Sequence, residues 1–222
     1  MTSVDARNEN IYYLYRKTKW NEGEYMRNLH EPTYSFVILT FILIIADTLL
    51  AWFSVGFGPA GANGVSWIFI AVAFMILFTL WFGAYGAIAA YVGTLIGSGF
   101  LASDRLVLPP EIAIIWAVAG LISVMIPLVA FRAFKVDLSL ENRRDWVLFL
   151  LFGVLINNIA GAAWGVLILS YGNIIKTGQI TSIFSTWIIG SFFVTILILP
   201  LAIRYLTPKL RQSKLFVTYY WD

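Results

Sequence analysis

Asp47 is the one acid or base placed well inside a stretch of this sequence apolar enough to cross a bilayer. Ionisable groups in hydrocarbon are costly and mark functional candidates. Thr40, Asp47 and Ser54 are spaced by seven, so on a helix they share one face and form a polar stripe directed into a bundle. No Lys or Arg in another apolar stretch can neutralise Asp47. Its carboxyl must therefore be protonated, hydrogen-bonded to Asn, Tyr or Trp, or paired with a cationic group on a ligand. Two readings stand: a ligand or proton site, or a satisfied carboxyl that joins helices.

A second group of candidates lies in FGVLINNIAGAAWGVL (152 to 167), where Asn157 and Asn158 are adjacent at mid-membrane and Trp164 follows two turns on. Amides enter hydrocarbon at a cost unless hydrogen-bonded, and helix pairing through Asn is one solution. The alternative is an amide and a flat ring offered to a small polar or aromatic ligand. Trp187, Ser191 and Thr195 make a similar face at the same depth. These residues define the expected pocket in the outer half of a bundle: Asp47, Asn157, Asn158, Trp164, Trp187 and Ser191. Trp52, Trp67 and Trp116 sit at outer helix ends and read as interface-belt residues.

The elements that must position these side chains follow from composition. Of the 222 residues, 60% are hydrophobic and 12% charged, with a mean hydropathy of +0.81, far from the balance of a soluble domain. The chain is read as a multi-pass cell-membrane protein with an all-α fold and no separate soluble domain. There is no cysteine, so disulfides, thiolate metal sites and cysteine nucleophiles are excluded. The domain plan is an interfacial N-terminal arm over 1–33, a transmembrane domain over 34–206 and a C-terminal tail over 207–222. The arm mixes Tyr12, Tyr13, Tyr15, Trp20 and Tyr25 with Arg16, Lys17, Lys19 and Arg27, a composition suited to the headgroup layer.

Val65 to Ala102 is uncharged. As one helix it would run about 57 Å, against a hydrocarbon core of about 30 Å. Charge placement decides how it divides, because Lys and Arg collect on the cytoplasmic side of short-looped membrane proteins. Five precede the first span, four lie between 132 and 144, and four between 204 and 214, leaving only Arg105 and Lys176. Six spans put thirteen of the fifteen on one side; five would split them almost evenly. The expectation is six transmembrane helices with cytoplasmic N and C termini, the long stretch being folded at Phe82 to Gly86. The basic excess reflects orientation, not nucleic-acid binding.

Small residues recur at helical spacing: Gly86 and Ala90; Gly93 and Gly97; Gly161 and Gly165. They permit close helix contact, either within the bundle or with another membrane subunit. The phosphate-loop, zinc-helix and nucleophile-elbow patterns do not occur, and the single His30 lies outside the spans. No catalytic residue, metal site or cofactor is expected, and the chain is read as a non-enzyme.

LWFGAYGAIAAYVGTLIGSG (80 to 99), with its glycine-punctuated helix, resembles a pattern in the substrate-binding S components of energy-coupling factor transporters. The likeness extends over all six spans, including WIIGSFFVTILILPLAI (187 to 203). It is similar also to the membrane-associated sensor domains that precede histidine kinases and diguanylate cyclases: Trp187, Gly190 and Pro200 match their last span, with Ser191 at the acidic position. The S-component resemblance implies a six-helix bundle that binds a vitamin-like small molecule on its outer side beneath the first loop, GFGPAGANGV. Uptake would then proceed by tilting of the bundle through a transmembrane coupling subunit driven by separate ATPases. The rival is a non-transporting structural or sensory subunit, docked to a larger complex through its aromatic tails, Tyr12 to Trp20 and FVTYYW (216 to 221).

Overall fold

The computed structural model describes residues 34–56, 66–101 and 108–217. The arm over 1–33, most of the glycine-rich first loop and the last aromatic residues lie outside the described residues. The chain divides into two compact units, Met1–Val37 and Ile38–Asp222. Of the first, only the opening residues of a helix are described; the architecture that follows is that of the second.

The described residues form an all-helical fold. In chain order the helices are α1 (Tyr34–Gly56), α2 (Ala71–Phe82), α3 (Ala84–Leu101), α4 (Pro110–Ala133), α5 (Arg143–Tyr171) and α6 (Thr177–Leu210). Five of them, all but α2, are long and apolar enough to cross a membrane. Their outward faces are apolar as well: Phe41, Ile42, Ile45, Leu49 and Phe53 on α1, and Phe193, Leu197 and Leu201 on α6, are exposed. Such continuous apolar surface is rare on soluble monomers. On α1 the buried residues Leu43, Asp47, Ala51 and Ser54 recur at helical spacing, so one narrow stripe faces the protein.

Helix α2 is only 12 residues long and occupies the centre of the molecule. Ten of those residues, among them Met75, Ile76, Leu77, Leu80 and Trp81, are buried, and α2 packs against α3, α4 and α6. A helix that is apolar all round has no face to give to solvent, so it is stable in the interior. Its C-terminal end is tied down from below: Trp81 Nε1 donates to Thr207 Oγ1 of α6 (3.0 Å), and the amide of Val217 donates to the Trp81 carbonyl (3.0 Å). Phe216 and Val217 are buried there.

Between α2 and α3 the chain turns at Gly83, with φ 60 and ψ −129, inside the Phe82 to Gly86 window read from the sequence. That conformation is essentially closed to residues with a Cβ. The turn lets α3 fold back on α2 so closely that a Cβ on Gly86 would run into the backbone of Phe78 and Thr79.

The other small residues mark further helix contacts. Gly93 and Gly97 of α3 are where α1 seats Asp47, Thr48, Ala51 and Trp52. Ala90 is buried, and its carbonyl borders Gly120 of α4. Gly161 of α5 accommodates Ser123 of α4, and Gly165 lies beneath the ring of Trp187 from α6. Two stretches are π-wound, Leu95–Leu101 at the end of α3 and Phe149–Ile156 within α5; wider turns of this kind shift which side chains face inward. Helix α4 is interrupted at Ala117.

A candidate binding cavity

Two apolar clusters make up the core, a large one around α2 and a smaller one containing Ala113, Trp116, Val166, Leu169 and Ile183. Where they meet, the packing leaves a cavity of about 60 Å³. Its walls come from the end of α1 (Val55), the segment before α2 (Ser66, Phe69), the start of α2 (Val72, Met75), the end of α3 (Thr94, Ser98), the first half of α4 (Trp116 to Ser123) and the start of α6 (Trp187, Ser191). All of these belong to one end of the bundle, the end opposite the basic residues 132–144 and 204–214.

None of the thirteen lining residues carries a formal charge. Five carry hydroxyls. Ser66 Oγ donates to the Ile68 carbonyl (3.0 Å), Ser123 Oγ donates to the Ala119 carbonyl (2.9 Å), and Thr94 Oγ1 donates weakly to Met75 Sδ (3.7 Å). Ser98 Oγ and the indole N–H of Trp116 are buried with no hydrogen-bond partner among the described residues. The rings of Trp116 and Trp187 pack at 5.8 Å between centroids with an interplanar angle of 56°.

Of the residues singled out from sequence, Trp187 and Ser191 line this cavity. The other four lie at helix interfaces elsewhere. Asp47 is fully buried between α1 and Gly93 of α3, with neither carboxyl oxygen hydrogen-bonded to a described residue. Asn157 is also fully buried and has no hydrogen-bond partner among the described residues, on the α5 stripe whose Gly153 meets Phe131 and whose Gly161 meets Ser123 of α4. Asn158 joins α5 to α6: its Nδ2 donates to the Val154 carbonyl (2.7 Å) and to Thr195 Oγ1 (3.0 Å). Trp164 Nε1 donates to the Ile115 carbonyl (2.9 Å), beside the Ala117 interruption, where Tyr91 from α3 likewise donates to the Ile114 carbonyl (3.2 Å). The structure thus distributes the expected pocket over several contacts rather than one.

Sequence reasoning passed over Ser98, Trp116 and Ser123. Trp116 was read as an interface-belt residue, yet it is buried and part of the cavity wall. The signal that could have found it is the stripe Trp116, Gly120, Ser123 at steps of four and three, a helix face too small and polar for lipid. Ser98 stands between two glycines in IGSG, where a lone hydroxyl offers no pattern. Among the described residues no group of three or more metal-ligating side chains occurs. No family model, curated protein or solved structure matches the chain.

Proposed function

We propose that the protein is a small-molecule-binding subunit of an uptake transporter in the cell membrane, relying on other chains for coupling and ATP hydrolysis. The observation that carries the proposal is the uncharged cavity at one end of an apolar bundle, with two buried polar groups, Ser98 Oγ and Trp116 Nε1, that have no partner among the described residues. Unpaired polar atoms in such surroundings cost about 1–3 kcal/mol each, a cost that a ligand relieves on binding.

The topology belongs to the same proposal: six spans, both termini cytoplasmic and the cavity at the outer end. Helix α2 alone rises about 18 Å, and the irregular residues Ser66 to Ile70 ahead of it can add up to about 17 Å when extended. Together they reach across a core of about 30 Å. The basic residues then gather at the cytoplasmic face.

Mild-detergent extraction from the native membrane, followed by identification of co-eluting chains, tests this reading. A transmembrane coupling chain with nucleotide-binding partners supports uptake. A stable assembly lacking any nucleotide-binding chain would sink it and favour the second reading, a structural or sensory subunit. One observation speaks for that second reading: about 60 Å³ is far below the ~300–1,000 Å³ of sites for drug-sized molecules.

A further inference from the structure

The walls of the cavity also specify what chemistry can enter it, granted that it is a binding site as proposed above. Three features bear on this: charge, hydrogen-bond polarity and size. No lining residue is charged, so an ionised group would lose its hydration with no counter-charge to replace it. Of the two unpartnered groups, Trp116 Nε1 is a donor only, and Ser98 Oγ can donate or accept. Both are met at once by a hydrogen-bond acceptor; a ligand group with donors alone leaves the indole N–H unsatisfied. Ser66, Thr94 and Ser123 already spend their hydroxyl protons within the protein, whereas the indole N–H of Trp116 and Ser98 Oγ are the lining groups that are buried with no partner among the described residues.

Size narrows the choice further. The volume of about 60 Å³ is less than half the ~150 Å³ of an apolar cavity that admits benzene. An aromatic ring is therefore too large for the cavity as it stands, whereas a group of about four heavy atoms fits. The tilted pair of indoles from Trp116 and Trp187 favours a flat group over a tetrahedral one.

We infer that the cavity receives an uncharged, planar, hydrogen-bond-accepting group of carbonyl or carboxamide size, held by the indole N–H of Trp116 and the hydroxyl of Ser98. Any larger remainder of the ligand extends out of the cavity.

Acetamide, acetate and methylammonium are matched probes, since they are similarly small and differ in charge and acceptor character. The protein is reconstituted in nanodiscs of neutral phospholipid, and the indole N–H resonances of its 9 tryptophans are followed by NMR, that of Trp116 being assigned by its loss in Trp116→Phe. The expected result is a saturable shift of the Trp116 resonance with acetamide, none with equal concentrations of acetate or methylammonium, and an affinity for acetamide about tenfold weaker in Ser98→Ala. Saturation by acetate or methylammonium without acetamide would overturn the inference while leaving a binding subunit in place. An affinity for acetamide unchanged in Ser98→Ala removes that hydroxyl from the site and overturns the assignment of the pair. No saturable shift with any of the three overturns both the inference and the cavity as a site.

Discussion

A single atom decides several of the contacts in this bundle. The hydroxyl of Ser123 occupies the space beside Gly161 that a methyl group would need, and the remaining neighbours of that position stand at 3.4 Å or more. Gly161→Ala is therefore expected to destabilise the protein by about 1–3 kcal/mol through overpacking. Adding Ser123→Ala should restore most of the loss, a non-additivity expected of residues in contact. Unfolding titrations of the two single variants and the double variant in detergent micelles measure the coupling; additive losses would contradict the geometry. Asn158 is a second such point. Asn158→Leu loses its bonds to Val154 and Thr195 and should cost about 1–2 kcal/mol, read in the same assay. Residue types at these positions were legible from sequence, because two amides in an apolar run must find partners. Which partners they find was not. Asn158 lies toward α6 and Asn157 on the α4 side of α5, a 100° difference that adjacent positions on any helix impose but that spacing alone cannot attach to particular neighbours.

At the scale of elements, Gly83 is what converts one over-long apolar run into two packed helices. Gly83→Ala forces a Cβ into a conformation that costs about 1–3 kcal/mol, so the unfolding midpoint should fall by that equivalent. Gly178→Ala, at a site with no atom within 4 Å, should change little and serves as the reference. That this run divides in two was the expectation from charge arithmetic, and the turn at Gly83 falls inside the Phe82 to Gly86 window. The depth of α2 was not legible, because an apolar run looks the same whether lipid or protein surrounds it.

The α4–α5 loop carries the clearest pH dependence. The backbone amide of Ser139 donates to Asp137 Oδ1 (3.0 Å), and this bond, with lesser help from the Ser139 hydroxyl and Arg211, holds the Asp137 carboxyl below its ordinary value. Because the folded value is the lower one, the stabilisation is fully present above the unfolded value of 3.8 and is lost as pH falls through the folded value. The side chain is half exposed, with Arg211 4.0 Å away, so its worth is below about 1 kcal/mol. Asp137→Asn should thus be slightly less stable than the parent at pH 6, and the gap should narrow as the pH is lowered below 3.8. A gap that persists at the lower pH would assign the effect to something other than ionisation.

The described helices bury the shortest of them, α2, in the interior, leave apolar surface exposed on α1, α5 and α6, and enclose an uncharged cavity with unpartnered polar atoms at the end away from residues 132–144 and 204–214. The membrane character and helical class follow from hydropathy alone, as the five long apolar helices bear out. The cavity did not follow, because it forms where residues from five helices converge and no linear pattern carries that convergence. Sidedness is open to direct measurement. The chain has no cysteine, so Lys176→Cys and Lys135→Cys are clean single-cysteine probes in intact cells. A membrane-impermeant maleimide should label the first and spare the second; the reverse pattern would invert the proposed topology.

The central claim is that the cavity holds a small molecule, and the most direct measurement is of what the protein carries. Protein extracted gently from its own membrane is denatured, and the released small molecules are identified and quantified by mass spectrometry beside the same preparation of Ser191→Leu, which adds bulk to the cavity wall. The account predicts one compound released in near-equal proportion to the chain and absent from the filled variant. Equal recovery of that compound from both proteins, or none from either, would contradict it.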